Sequence, residues 1–281
     1  MIYICLRDDK MADLNLNIKD FGQIYEANIE IDKINVVCGV NSCGKSTISK
    51  LLYCYLKSEI DDESLDYLLD SEGLGNLKYS DIVFKYNLGL SEVFYIDNIS
   101  IMDLKDLEIL KVDHIVHIKE ALEEDKLIDS SEILSKIESI IGCGCLDSQN
   151  SSGIKEIGII QTLLQNNKLK ENSFLIIDEP ESSLHPEWEI KFAEILILLV
   201  KELNVHIYLN SHSAMFVEAI SLYSQYYDLI KDTNFYLTKK QENNRYHFKK
   251  IDPKNMGEVY ENLTSPYDEL DSIKAKILFK E

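Results

Sequence analysis

Polar and apolar residues alternate through Leu14 to Ile18 and again through Ile24 to Ile31, with Phe21 and Gly22 between them, which predicts a β-hairpin. A third strand follows at once, because Ile34-Asn35-Val36-Val37-Cys38 is a short apolar run that ends in Gly39. From Ser46 to Leu56 the period changes, and Ile48, Leu51, Leu52 and Tyr55 recur at helical spacing. The order is strand, tight glycine loop, helix. Val93 to Ile96 and Phe174 to Ile177 are apolar throughout, as parallel strands covered on both faces are. Between Ser58 and Ser100 the rest is less regular, with an acidic stretch from Asp61 to Asp70, and Asp103 to Ile141 reads as charged amphipathic helices. A helix is predicted from Gly153 to about Gln165 and another over Trp188 to Leu203, followed by a strand at Val205 to Leu209. Phe235-Tyr236-Leu237 and Tyr246-His247-Phe248 read as hairpin strands, with helical patterning around Val259 and from Ser265 to Leu278. Strands alternating with helices through the middle predict an α/β fold with a mostly parallel central sheet.

Composition sharpens this picture without changing it. With 45% hydrophobic residues in 281, a sizeable core is available, and only 11 Gly and 4 Pro leave little material for flexible linkers. One domain over residues 1–281 is expected, with a helical lobe inserted at 57–150 and strands and helices at 213–281. The balance of 29 Lys and Arg against 49 Asp and Glu excludes a broad grip on a nucleic-acid backbone. Any DNA contact would be weak or indirect, through a local patch at Lys239, Lys240, Arg245, Lys249 and Lys250, a stretch that reads first as a solvated hairpin face. Cys5, Cys38, Cys43, Cys54, Cys143 and Cys145 show no CxxC pair and no signal peptide precedes them, so reduced thiols in the cytoplasm are expected. Cys143 and Cys145 lack a second ligand pair, and His114 and His117 read as a surface helix face. The best apolar run, Phe192 to Val200, is too short to span a bilayer and reads as a buried helix.

Chemistry enters at the glycine loop. Gly39-Val40-Asn41-Ser42-Cys43-Gly44-Lys45-Ser46 fits the GxxxxGK[ST] P-loop pattern, with the required strand before it and helix after it. Glycines let the backbone curl so that its N–H groups, through Asn41, Ser42 and Cys43, face phosphates; Lys45 reaches the β and γ oxygens, and the Ser46 hydroxyl coordinates magnesium. Thr47, first in the helix, is placed for the α-phosphate. A second element, the apolar strand Phe174 to Ile177, ends in Asp178 and Glu179. Asp178 is assigned to magnesium through water, and Glu179 to activation of the attacking water.

The run Glu179-Pro180-Glu181-Ser182-Ser183-Leu184-His185-Pro186 resembles the Walker B and D-loop of ABC-type ATPases of the OLD and RecF-like group, and the likeness covers most of the chain. It implies an ABC-type ATPase head with an N-terminal antiparallel β subdomain and a small helical lobe. By the same resemblance His212, in Asn210-Ser211-His212-Ser213, is the switch histidine that contacts the γ-phosphate. Ser151, Ser152 and Gly153, in Asn150 to Glu156, are the signature that clamps nucleotide held by the other subunit. The cofactors implied are ATP and magnesium, and the partner is a second copy in an ATP-sandwiched homodimer or a higher oligomer.

Three features depart from that family. No glutamine lies between Gln23 and Gln149, so the Q-loop glutamine is missing, and Asp97 or Asn98 stands where it would be. Arg7 and Arg245 are the only arginines, and Gly144 to Ser151 is short for the hairpin that precedes a signature. Residues 213–281 leave no room for a Toprim nuclease domain. The expectation is therefore an ATPase switch controlling a separately encoded effector, as in prokaryotic anti-phage defence, with no membrane contact. The alternative is a RecF-like DNA repair or chromosome-maintenance ATPase, which acidity and scarce arginine weigh against.

Overall fold

The computed structural model describes residues 14–75, 82–86, 89–97, 112–123, 131–141, 152–182 and 184–279. The strands are β1 (Leu14–Phe21), β2 (Ile24–Ile31), β3 (Ile34–Cys38), β4 (Ile82–Tyr86), β5 (Glu92–Ile96), β6 (Ser173–Asp178), β7 (His206–Ser211), β8 (Thr233–Lys240) and β9 (Tyr246–Ile251). The helices are α1 (Lys45–Asp61), α2 (Leu65–Ser71), α3 (Asp113–Glu123), α4 (Ser131–Ile141), α5 (Ser152–Gln165), α6 (Pro186–Leu203), α7 (Ala214–Tyr226), α8 (Gly257–Thr264) and α9 (Pro266–Leu278).

One sheet holds all of these strands in the order β4-β1-β2-β9-β8-β3-β7-β6-β5. The half made of β8, β3, β7, β6 and β5 is parallel at every step. At the other end β4, β1 and β2 pair antiparallel. The two halves are joined by the antiparallel β8–β9 hairpin, which pairs with β3 on one side and β2 on the other. The α/β class and the antiparallel N-terminal strands expected from the pattern are therefore present. The edge strand β4 was not anticipated, because five residues that pair only with β1 carry too little periodicity to stand out.

Alternation along the central strands divides the core between the two faces of the sheet. Val36, Leu175, Ile177, Ile207 and Leu209 point to one face, where α5, α6 and α7 pack through Ile160, Phe192, Leu196 and Phe216. Val37, Phe174, Ile176 and Tyr208 point to the other, against Ile48, Leu51 and Leu52 of α1. Burial on both faces explains the uninterrupted apolar runs. The run from Phe192 to Val200 lies inside α6 and is buried, as expected. Among the described residues no helix is long and apolar enough to cross a membrane.

Every parallel strand of this half points the same way, so the C-terminal ends of β3, β6 and β7 converge. Their backbones are tied together there: Gly39 N–H donates to Ser211 O at 3.3 Å and Glu179 N–H to Asn210 O at 2.9 Å. The loops after the three strands are the motif-bearing ones.

Candidate nucleotide-binding site

The loop after β3 runs straight into α1, whose first residue is Lys45. Gly44 sits in the left-handed region at φ 99°, and a Cβ there would stand 2.7 Å from Ile24 Cγ1. Gly39, at φ 152°, is tighter still, with Thr238 Oγ1 at 1.8 Å from the built Cβ. Both glycines are thus demanded by backbone shape and by close packing on β2 and β8. Gly39→Ala is expected to cost about 2 kcal/mol through overpacking and backbone strain. In a chain of this size that lowers the melting temperature by roughly 5 °C, which a thermal scan would read.

The loop leaves the N-terminal end of α1, with its unpaired N–H groups and positive dipole end, at the head of the sheet. Lys45 is buried, and its ammonium donates to Gly39 O and Val40 O at 2.9 Å each. Cys43 Sγ lies 4.0 Å from the same nitrogen. Ser46 and Asn41 are exposed, Ser42 is exposed in a left-handed conformation at φ 61°, and Thr47 is half-buried. Cys38, Cys43 and Cys54 are free and buried. Cys5, Cys143 and Cys145 lie outside the described residues.

Asp178, the last residue of β6, is buried and held by neutral donors. Ser49 Oγ donates to its Oδ1 at 2.7 Å, Tyr95 OH donates to its Oδ2 at 3.0 Å, and Asn210 Nδ2 donates to Oδ1. Among the described residues no lysine or arginine pairs with it. Ser49, Tyr95 and Asn210 were not singled out from the sequence. The signal was there for Ser49, which lies one helical turn after Lys45 on α1; Tyr95 and Asn210 reach Asp178 only through the pairing of β5, β6 and β7.

Glu179 is forced into the left-handed region at φ 53°, an unusual conformation for a residue with a side chain and one that turns the chain sharply off the strand. His212 Nδ1 lies 3.7 Å from Glu179 Oε1 and 3.2 Å from Glu181 Oε1. Glu181 is the organiser of this loop, and it was read only as part of a motif. Its buried Oε1 accepts from Ser211 Oγ at 2.8 Å, His212 N–H at 2.6 Å and Ser213 N–H at 3.1 Å. Ser213 then caps α7 by accepting from Phe216 N–H. The loop after β6 therefore grips the loop after β7 through one carboxylate.

Of the signature segment, Ser151 lies outside the described residues, while Ser152 and Gly153 form the first turn of α5. Further along α5, Glu156 is buried with both oxygens unpartnered. Burial, and then the charge of Glu181, pushes its carboxyl well above the usual carboxylate range. The helix α5 is thus electrostatically in touch with the loop that holds His212.

The surface assignment of His114 and His117 is corrected by the structure. His114 is buried on α3, with Nδ1 at 2.7 Å from Glu72 Oε1 and Nε2 at 3.3 Å from Asp97 Oδ2. His117, mostly buried, lies 3.4 Å from Glu92 and stacks on Phe94. Helical spacing placed the pair on one face of α3, but that face turns inward onto β5. Burial opposes a charge on His114, yet contacts with Asp97 and Glu72 outweigh it and raise its pKa to about 9. Asp97, which follows β5, is thereby tied to α3. His114 stabilises the fold fully below its unfolded pKa of about 6.5, and the contribution disappears as pH rises through about 9. Between those limits about 3 kcal/mol is expected to be lost, as the difference in urea stability between wild type and His114→Gln at pH 6 and pH 10.

With the geometry in place, comparisons with known proteins bear on it. Residues 146–218, about a quarter of the chain, match the family model described as "AAA domain, putative AbiEii toxin, Type IV TA system". That segment contains Asp178, Glu179, Glu181 and His212. A search of curated proteins returns no match. Among solved structures, the SMC head bound to the C-winged helix domain of ScpA is similar at TM-score 0.50 and 11% identity, over 85% of this chain and 97% of that one. The SMC head domain from Thermotoga maritima scores 0.48 at 17% identity, covering 84% and 98%. The ADP conformation of MJ1267, an ATP-binding cassette of an ABC transporter, scores 0.49 at 13%, covering 90% and 95%. The chain shares the fold of the ScpA-bound SMC head.

Proposed function

We propose that this protein is a magnesium-dependent ATP-hydrolysing switch that closes as a homodimer on ATP and controls a separately encoded effector. The observation that carries the reading is the convergence of Lys45, Asp178, Glu179 and His212 on the loops after three adjacent parallel strands. Backbone N–H groups of 39–45 and the α1 terminus would receive the phosphates, and Lys45 would exchange its two loop carbonyls for β and γ oxygens. Ser46 and Asp178 would hold magnesium. A hydroxyl and a carboxylate fixed by hydroxyl and amide donors are oxygen ligands that suit a hard cation. When bound, the ion supplies charge neutralisation on the triphosphate.

Glu179 would accept the proton of the attacking water, its carboxylate held off the strand end by the left-handed turn. His212, fixed by the Glu181 crown at its backbone N–H, would contact the γ-phosphate. Ser151, Ser152 and Gly153, at the start of α5, would complete the partner's site, so that each closed site draws on both chains. The matched family's description names a type IV toxin–antitoxin system, which supports reading the switch as one part of a multi-component system, and we place that system in defence against phage. A DNA-clamping role has less support. Of the hairpin cations, Lys239 and Lys249 pair with Glu258, Lys250 pairs with Glu30, and Arg245 pairs with Asp20. The test is ATP turnover with and without magnesium, together with light scattering of the ATP-bound protein. Turnover without any ATP-dependent dimer would leave a hydrolase but remove the sandwich.

A further inference from the structure

The helix α9 has no buried residue. Its apolar side chains nonetheless fall on one side. At 100° per residue Leu270, Ile273 and Ile277 form the centre of a stripe and Tyr267 and Leu278 its flank, all at least 49% exposed. A helix of 13 residues is marginal in water unless an amphipathic face is covered. An apolar stripe of this length on a head that carries a charge of −20 is a docking surface rather than ordinary exposure.

The charges beside the stripe say what covers it. Asp268, Glu269 and Asp271 lie in the first half of α9, and Lys274 and Lys276 in the second. Glu269 and Lys276 flank the stripe on one side and Lys274 on the other, while Asp271 turns towards the back of the helix. Asp271 and Lys274 already pair within the helix at 2.7 Å. If a second α9 lies antiparallel with the two-fold axis between Ser272 and Ile273, Glu269 meets Lys276 of the other copy on the flank they share. In the same register Leu270 enters between Ile273 and Ile277 of the facing helix, and Tyr267 meets Leu278. One register thus satisfies the Glu269–Lys276 flank and the apolar seam at once. A parallel pairing would instead bring Glu269 to Lys274 of the other copy, which already pairs with Asp271 in its own helix, whereas the antiparallel one joins Glu269 and Lys276, which have no ion pair among the described residues.

We propose that α9 docks on α9 of a second copy of this chain, in an antiparallel two-fold contact that does not require nucleotide. One short helix pair is a small interface, so a dissociation constant on the order of 10 μM is expected. It is separate from the ATP sandwich and independent of whether the ATPase reading holds. If both contacts exist, ATP closure joins these pairs into tetramers or longer chains.

The experiment is sedimentation of the full chain, stripped of nucleotide and in EDTA, at protein concentrations up to about 100 μM. Wild type should sediment as a concentration-dependent dimer. Ile273→Asp, at an exposed position that the fold does not need, should weaken the dimer more than about 30-fold. Glu269→Lys should weaken it about fivefold, and the double variant Glu269→Lys with Lys276→Glu should restore it to within about twofold. A contribution of these residues to helix stability alone predicts the opposite for the double variant, because both changes oppose the helix dipole. A monomer at every concentration overturns the proposal and leaves the stripe to another protein or to residues 1–13. A dimer indifferent to Ile273→Asp, or a double variant weaker than Glu269→Lys alone, overturns it as well.

Discussion

Alanine at position 45 is expected to abolish ATP binding while leaving the fold intact. Lys45 is the only lysine or arginine within the loop 39–46, in a chain that is otherwise strongly acidic. A triphosphate that loses its main cationic partner loses charge-assisted hydrogen bonds and gains repulsion from the acidic surroundings. The affinity should fall by at least about 100-fold, roughly 3 kcal/mol. Stability should change little, because the two carbonyls that Lys45 now bonds lie on a loop that water reaches at the exposed Val40, Asn41 and Ser42. Isothermal titration of the folded variant decides it. Affinity equal to wild type would remove the phosphate assignment of the glycine loop.

The second large effect is expected at the strand end after Asp178. Glu179→Gln keeps the shape and hydrogen-bonding capacity of the side chain but cannot take a proton from water, so turnover should fall about 10²- to 10³-fold with binding retained. Asp178, with its three donors, is untouched by this change. ATP should then accumulate in the closed state and hold two chains together, since a ligand that binds only the dimer stabilises it by mass action. Light scattering with ATP and magnesium should report twice the nucleotide-free mass, measured at a concentration below that of any nucleotide-independent association. Adding Gly153→Asp places a carboxylate at the first turn of α5, where phosphate would approach, and should return the protein to its nucleotide-free mass. An ATP-induced dimer untouched by Gly153→Asp would show that 151–153 is not the clamp.

These two experiments differ in what they ask of the reading. Lys45 tests a loop whose local backbone is dictated by two glycines. Glu179 with Gly153 tests an arrangement between chains, which rests on the resemblance of the motifs. Binding lost at Lys45 with no dimer trapped at Glu179 would describe a nucleotide-binding head that works as a monomer.

The glycine loop, the strand before it and the helix after it were legible because each is a local instruction. Period-2 and period-3.6 patterns, and the spacing of the glycines and Lys45 in the loop, act within about twenty residues of chain; that Thr238 also bars a Cβ at Gly39 is a tertiary fact. For the same reason β3, β5, β6, β7 and α6 were read to within a few residues, as was the acidic doublet Asp178 and Glu179. Determined by the tertiary structure alone were the partners of those residues. Ser49, Tyr95 and Asn210 meet Asp178 across 32 to 129 positions of chain, and no spacing rule connects them. The placement of β8 and β9 between the antiparallel and parallel halves belongs here too, because strand order is decided by which edges remain to be paired. His114 shows the limit most plainly: helical spacing says which residues share a face, but whether that face meets water or a buried pair of carboxylates depends on what packs against it. Local propensity is written in short-range sterics; burial and charge pairing depend on chain segments brought together only by the closing of the whole sheet.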